Sequence, residues 1–564
     1  MSDSAPRPRP WLTLTMGFLL ILGITYWLAG DHVITYGRSV IAAHYAGKAQ
    51  EKIKNKQWLE ASQLLARARS WRGNEPQVLR GYADLLIATR SDNLSLLQIL
   101  RNLEAVHEIT AQDRVYIGQI LISLGHVAEA RVAYEKLSDA QKLEQKSLEL
   151  LASIYQAEGR IEDAEKTMRQ ALAMAPTDPA SKLRLAILNH QNTFVEIQDQ
   201  SRREIWELAE SPDDIGLQAL EFLSTRARLD GQEADRVMQL IEKHPNNTPG
   251  MRYSALSARI RARPQDRDKV IEAEVLRVKG QGVEILRPAL TWLLQEQQPE
   301  RVLELLSGDI HLKSGPLLHS YLLALGALNR WSDIEMILKK KLPVSETFVH
   351  LWKARTAEKL DTGIRTVRHH LEAAFAQTLG GQDESSARMT AEAAEEMGQW
   401  DLASRFYNDI ASLHPLSRGL MLEKVQTMAT RGRSTEAALL AADKLTELHP
   451  DNQVYKQRTL YLRLIAGHEI ETASVAVSQL SNTEKNSPVI LLQALAAYRL
   501  GDITQVRTFL ENLDAKTDFS PGQNAVHAGL RSICGETAQA YRLAEPIPSI
   551  MLLPEELRFL QKAL

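Results

Sequence analysis

The sequence predicts an all-α solenoid of antiparallel helix pairs, carried on one N-terminal transmembrane helix. Three observations predict it. Gly398, Gly432, Gly467, Gly501 and Gly535 follow one another at separations of 34, 35, 34 and 34 residues, and a period of that size marks stacked helical hairpins. Between such glycines, large and small apolar residues recur three and four apart, which lines one face of a helix. Residues 11–29, WLTLTMGFLLILGITYWLA, run for 19 positions without a charge, close to the ~20 that a helix needs to cross a bilayer.

Composition agrees with a solenoid. A chain of 564 residues is long for one compact core, but in a repeat stack each unit touches only its neighbours. A hydrophobic content of 44%, with 24% charged and 6% aromatic residues, suits an all-helical body. The formal charge of −3 lacks the basic footprint of a chain whose main partner is nucleic acid. The single cysteine, Cys534, excludes an intramolecular disulfide and any multi-thiolate zinc site built from this chain alone.

Residues 1–10 (MSDSAPRPRP) are polar and proline-rich, so they should be extended and disordered. In the anchor at 11–29, Trp11, Tyr26 and Trp27 sit where amphipathic rings settle at membrane interfaces. A cleaved signal peptide would have a shorter apolar core, and a small residue in place of Trp27. A buried soluble helix would not be apolar all round. Arg7 and Arg9 favour a cytoplasmic N-terminus and place everything after Gly30 in the periplasm or exterior. Arg38, Lys48 and the cluster Lys52, Lys54, Lys56 narrow that margin and leave the opposite orientation open.

The N-terminal arm covers 31–177. Val33, Tyr36, Val40, Ala43 and Ala46 stripe a first helix, and Trp58, Ala61, Leu65 and Ala68 stripe the next. Gly125, Ala130 and Tyr134 stand 34 residues before Gly159, Ala164 and Met168. The clearest unit is 145–178. Leu148, Leu151, Ala152 and Tyr155 share one helical face, and Gly159 can take the left-handed conformation that ends a helix. Ile161, Ala164, Met168, Ala171 and Leu172 then form a second stripe that Pro176 stops. Ala152 and Ala164 are small where the two backbones should approach most closely. Helices this short are marginal alone, so one good hairpin demands neighbours.

That large-small pattern resembles the tetratricopeptide repeat. The resemblance implies a right-handed superhelix whose concave surface, lined by the first helix of each pair, holds peptides or proteins. The matching positions include Lys146, Glu149, Ser153 and Gln156 in the N-terminal arm and Arg388, Glu392 and Glu395 in the C-terminal arm. The Asn, Lys and Arg set of the chaperone-tail-binding members has no counterpart here.

From 178 to 385 the pattern fades. Ala234 with Met238, Val302 with Leu306, and Trp331 with Ile334 and Leu338 read as second helices, with 190–204 and 377–386 as inserted loops. The C-terminal array, 386–544, is regular again. In it Trp400 and Ala403 repeat the pairing of Trp58 with Ala61. Residues 545–564 (EPIPSIMLLPEELRFLQKAL) break the pattern and should cap the stack.

Catalysis needs a convergent nucleophile, base and orienting group, and no spacing supplies one. There is neither a GxxxxGK loop nor an HExxH. Cys534 precedes a turn glycine and reads as structural. His369 and His370 are adjacent, so on a helix they point about 100° apart, poor for one metal. Arg259, Arg261 and Arg263 read as a solvated stretch offset by Asp266 and Asp268, and Lys339–Lys341 as cations at a helix C-terminus. The resemblance therefore implies a non-enzymatic membrane scaffold with protein or peptide partners, no cofactor and no metal, in the assembly or export of bacterial envelope components at the inner membrane. A cytosol-facing chaperone or import receptor, and an enzyme within 178–385, stay open as alternatives.

Overall fold

The computed structural model describes residues 35–564 apart from 90–91, 193, 380–383, 415–416, 451, 484–485 and 514–518. The segment 1–10 and the anchor at 11–29 lie outside the described residues. Among the described residues every regular element is a helix, and no helix is long and apolar enough to cross a membrane.

The helices alternate as antiparallel pairs from one end to the other, and the diverged centre does not interrupt them. Asp214–Thr225 pairs with Gly231–Lys243, Val283–Gln295 with Pro299–Leu305, and Gly315–Ala327 with Trp331–Leu338, just as Gln145–Ala157 pairs with Ile161–Met174. A first helix buries two faces. On Gln145–Ala157, Ala152 packs in one cluster with Ala164 and Met168, while Leu150 and Ile154 join the core of the preceding unit. Ala152 and Ala164 are 4% and 0% exposed, as the close approach required.

The turn between paired helices is the same in both arms and in part of the centre. A residue one or two positions beyond the first helix takes positive φ, and the next N–H reaches back to a carbonyl five residues earlier, which satisfies a backbone group the helix end leaves orphaned. Arg160 N–H donates to the Tyr155 carbonyl at 2.8 Å beside Gly159, whose φ is +77°. Gln298 N–H to Leu293 (2.8 Å), Arg330 N–H to Leu325 (2.9 Å) and Thr362 N–H to Ala357 (3.0 Å) are the same bond, although Gln297, Asn329 and Asp361 hold the turn. The glycine ladder slips once. Gly432 has φ −76°, and Arg433, at +58°, occupies the left-handed position.

Three sequence expectations change. In the helix over 35–54, Ala42, Ala46 and Ala49 are buried against Ala61, Leu65, Ala68 and Val78, with Tyr45 and Ile53 half-buried beside them, while Tyr36 and Val40 are 73% and 51% exposed, because they lie beyond the reach of the following helices. Most of 190–204 is helix, Val195–Ala209, burying Ser201, Ile205, Trp206 and Ala209; the charged residues between them line its wet face rather than a loop. Likewise 377–379 end the helix Ile364–Leu379 and 384–386 begin Glu384–Glu396.

The superhelix meets itself. Asn93–Ala105, in the N-terminal arm, lies against Arg418–Arg431 in the C-terminal arm. Arg101 is the bolt. It donates to Glu129 (2.9 Å) on its own side and to Glu423 (2.6 Å) and Tyr455 (3.0 Å) across the seam. Arg388 approaches Asp92 at 3.5 Å beside it. Gln98 covers Gly419, where an added Cβ would come within 2.7 Å of the carboxamide.

Candidate interaction site

The first helices of the pairs form a continuous wall. Asp214–Thr225, Pro249–Ala262, Val283–Gln295 and Gly315–Ala327 each pack on the next. Their starts are fixed locally. Asp213 accepts from Ile215 N–H at 2.9 Å, and Thr248 precedes Pro249 and accepts from Met251 N–H at 3.4 Å, capping orphaned donors. Between them the wall is hollowed into a trough of about 950 Å³ lined by Ser224, Ser254, Ser257, Arg261, Arg287 and Thr291 among others. Arg287 and Thr291 also border a second hollow of about 660 Å³, with His319, Ser320 and Phe348.

The floor of the trough is tied by hydrogen bonds and ring stacking, and the rim is exposed. Trp292 donates its indole N–H to Ser257 Oγ at 3.0 Å and stacks on Tyr253, ring centroids 5.4 Å apart. Tyr253 donates to Glu274 at 2.9 Å, and Arg277 and Arg252 hold the same carboxylate. These arginine contacts and the phenol together keep the Glu274 carboxyl below its ordinary range despite burial, and burial pushes the Tyr253 hydroxyl up. On the rim, Arg261, Arg287, Glu221 and Glu284 are exposed. Such a surface offers hydroxyls and both signs of charge to an extended backbone, over an apolar floor.

The C-terminal third of the wall is not open. Pro554–Ala563 lies on Pro521–Ile533 and reaches Gln453–Ala466, while the turn Ser549–Met551 touches Arg418–Arg431. Glu556 accepts from Tyr461 O–H and from Leu553 N–H, both at 2.9 Å. Lys562 donates to Tyr498 O–H at 2.8 Å, and Phe559 meets Tyr498 edge to face at 5.5 Å. Gly522 and Gly529 permit the approach: a Cβ on Gly529 would lie 2.6 Å from the Phe559 carbonyl oxygen. The segment does cover the last pair, as a cap would, since it also packs on Thr537–Ala544. It goes further and fills the groove.

Residues 145–178 match the family model described as tetratricopeptide repeat. That stretch is one tetratricopeptide repeat. No curated protein matches the chain. Among solved structures it is similar to the APC/C hetero-tetramer Cut9–Hcn1 (12% identity, 92% of this chain and 95% of that one, TM-score 0.24). It is also similar to Naa15/Naa10 bound to HypK-THB (12%, 93% and 77%, 0.24) and to yeast Tom70 (12%, 93% and 95%, 0.25). At these TM-scores the chains do not superpose as wholes.

The concave-face residues expected from the repeat pattern fall into two separate groups. Lys146, Glu149, Ser153 and Gln156 share Gln145–Ala157. Glu149 is 2% exposed; its carboxylate takes Ser181 Oγ at 2.7 Å, Lys146 at 3.0 Å and Arg184, so it ties one repeat to the next. Ser153 donates to the Glu149 carbonyl at 3.0 Å and Gln156 to Gln191 at 3.0 Å. On Glu384–Glu396, Arg388 faces the arm junction, Glu392 is exposed, and Glu395 accepts from Tyr407 (3.0 Å), Lys424 (3.1 Å) and Arg431 (3.3 Å). Cys534 is buried, and burial raises its thiol. Arg259 and Arg263 both hold Asp235 at 2.8 Å, while Arg261 turns to the trough. His370 meets His350, Nδ1 to Nδ1 at 3.3 Å, and among the described residues no group of three or more His, Cys, Asp or Glu could hold a metal. Arg287 and the Arg101 bolt carry no periodic or motif signal in the sequence.

Proposed function

We propose that this repeat protein is a non-enzymatic scaffold that gathers protein partners on the inner wall of its superhelix, at a membrane to which residues 11–29 anchor it. The observation that carries the reading is the open trough of about 950 Å³ on the first helices of the central repeats. It continues into a second hollow through Arg287 and Thr291, and so offers an extended segment several weak contacts that act together. The anchor rests on the 19 uncharged residues and their aromatic ends. Arg7 and Arg9 favour repeats that face away from the cytoplasm, where an envelope-assembly or export role would require them.

A photo-crosslinking residue at Thr291, in the trough, is expected to capture protein partners from membranes. The same residue at exposed Glu304, on a second helix, should not. Arg287→Glu should reduce the Thr291 adduct by at least tenfold while leaving thermal stability within a degree or two. Equal capture at both positions, or indifference to Arg287→Glu, would sink the proposal. Orientation is tested separately by Gln170→Cys at an exposed site, with the buried Cys534 as background. Labelling of intact spheroplasts by a membrane-impermeant thiol reagent is expected. Labelling only after lysis would favour the cytosol-facing receptor.

A further inference from the structure

The inner wall is open in the central repeats and filled in the C-terminal ones, and its occupant is part of this chain. Residues 549–563 lie in the C-terminal groove much as a bound peptide would. Their apolar side is sunk, with Leu552 and Leu553 at 0%, Phe559 at 4% and Leu560 at 2% exposure, while Ile550 and Met551 remain 74% and 56% exposed. Apart from Thr537–Ala544 of the last pair, the elements they touch belong to the wall or to its edge: Tyr461, Tyr498, Gly522, Gly529 and Ser532 on first helices, and Arg433 and Thr435 at a turn.

We propose that this groove is a helix-binding site and that residues 549–563 are its exchangeable plug. A partner would compete by presenting an amphipathic helix with the same chemistry: a carboxylate or amide to accept from Tyr461 O–H, a phenyl ring three residues on against Tyr498, and an aliphatic side chain beside it on Ala525 and Ala528. Three features favour exchange over permanent core. The plug joins the last repeat through Glu545–Pro548, which carries two prolines and no helix, so it can leave without unfolding a pair. Apart from those of Glu556, its polar ties are to single side chains at the rim, Tyr498, Ser532, Arg433 and Thr435. The one carboxylate it buries, Glu556, is paired with a phenol and a backbone amide and with no cation among its hydrogen-bonding partners, so docking carries a desolvation cost that a partner with an amide there would avoid. The proposal concerns the C-terminal groove and stands whether or not the central trough takes a partner.

The test uses the full chain and a fluorescent peptide of residues 545–564. Phe559→Asp is expected to eject the plug, and that chain should bind the peptide at least tenfold more tightly than wild type, whose groove is occupied. Adding Gly529→Leu, which fills the groove itself, should abolish the gain. A Phe559→Asp chain with wild-type helical content that ignores the peptide would overturn the proposal, as would binding that survives Gly529→Leu. Should Phe559→Asp fail to fold, hydrogen exchange on wild type decides. Residues 554–563 are expected to exchange at least tenfold faster than 521–533, and equal protection would make the segment permanent core and end the idea.

Discussion

The central pairs and the C-terminal pairs reach one geometry with different residues. At the C-terminal turns Gly467, Gly501 and Gly535 supply the left-handed conformation, and at the central turns Gln297, Asn329 and Asp361 do. The back-reaching hydrogen bond is nevertheless the same, 3.0 Å at Asp502 and 2.8 Å at Gln298. A side chain in the left-handed region costs about 1–2 kcal/mol, whereas one large buried side chain contributes about 1.5–3 kcal/mol, and each pair buries several. Packing therefore sets the turn. The period can wear away from the sequence while the hairpin persists, and the trough lies on the first helices of this worn region.

If packing rules, the largest lesion is one in the central core. Trp292 is 1% exposed, stacked on Tyr253 and bonded to Ser257. Trp292→Ala should cost about 3–5 kcal/mol, and in a stack whose units touch only neighbours the loss should stay near 249–305. Hydrogen exchange mapped along the chain checks this: faster exchange there with 453–533 unchanged is expected. Uniform loosening would mean that the Arg101 bolt couples the arms into one cooperative unit, and the two regions would cease to be separable.

A change at the plug separates the regions by pH. Burial raises the Glu556 carboxyl above its ordinary value, against smaller opposing effects of the Leu553 amide and the Tyr461 hydroxyl. A folded-state value above the unfolded one means that the docked form holds the proton more tightly, so stability falls as pH rises from the ordinary carboxyl range through the shifted value. Glu556→Gln should remove that fall in the C-terminal repeats and leave the central repeats untouched. Exchange rates of 521–533 between pH 4.5 and 7.5, corrected for intrinsic rate, are the measurement. A fall that persists in the variant would assign the dependence to another group.

Much of this was legible in the sequence, for physical reasons that also mark its limits. The stripe in 145–178 and the ladder from 398 to 535 identified the pairs because buried alanines and turn glycines are short-range demands. The central turns at 297, 329 and 361 carry no glycine at the left-handed position; Asn329 and Asp361 are residues that tolerate it, and Gln297 gives no such sign. Glu149 looked like a concave-surface residue, yet Arg184 stands 35 residues on, one repeat away, and that spacing was a readable hint of a bond between neighbours. The Arg101–Glu423 contact spans 322 residues, beyond any local pattern. Gly522 and Gly529 lie seven apart on one helix face, outside the 34-residue ladder, and only the fold shows that residues 549–563 approach them.

The smallest expected effects test the comparison most directly, because they exchange the two kinds of turn. Gly501 has φ +84°, and no atom lies within 4 Å of the place a Cβ would take, so Gly501→Ala should be destabilising through the backbone alone, by about 1–2 kcal/mol. Gln297, at φ +56°, pays the same penalty now. Gln297→Gly should relieve it, less the extra freedom that glycine adds to the unfolded chain, for a net gain of about 0.5 kcal/mol. Exchange protection of the paired helices, 487–511 for the first and 283–305 for the second, should move in opposite directions. If Gln297→Gly is destabilising instead, the central turn is held by contacts of that side chain, and the worn period marks a different hairpin rather than the same one with the glycine lost.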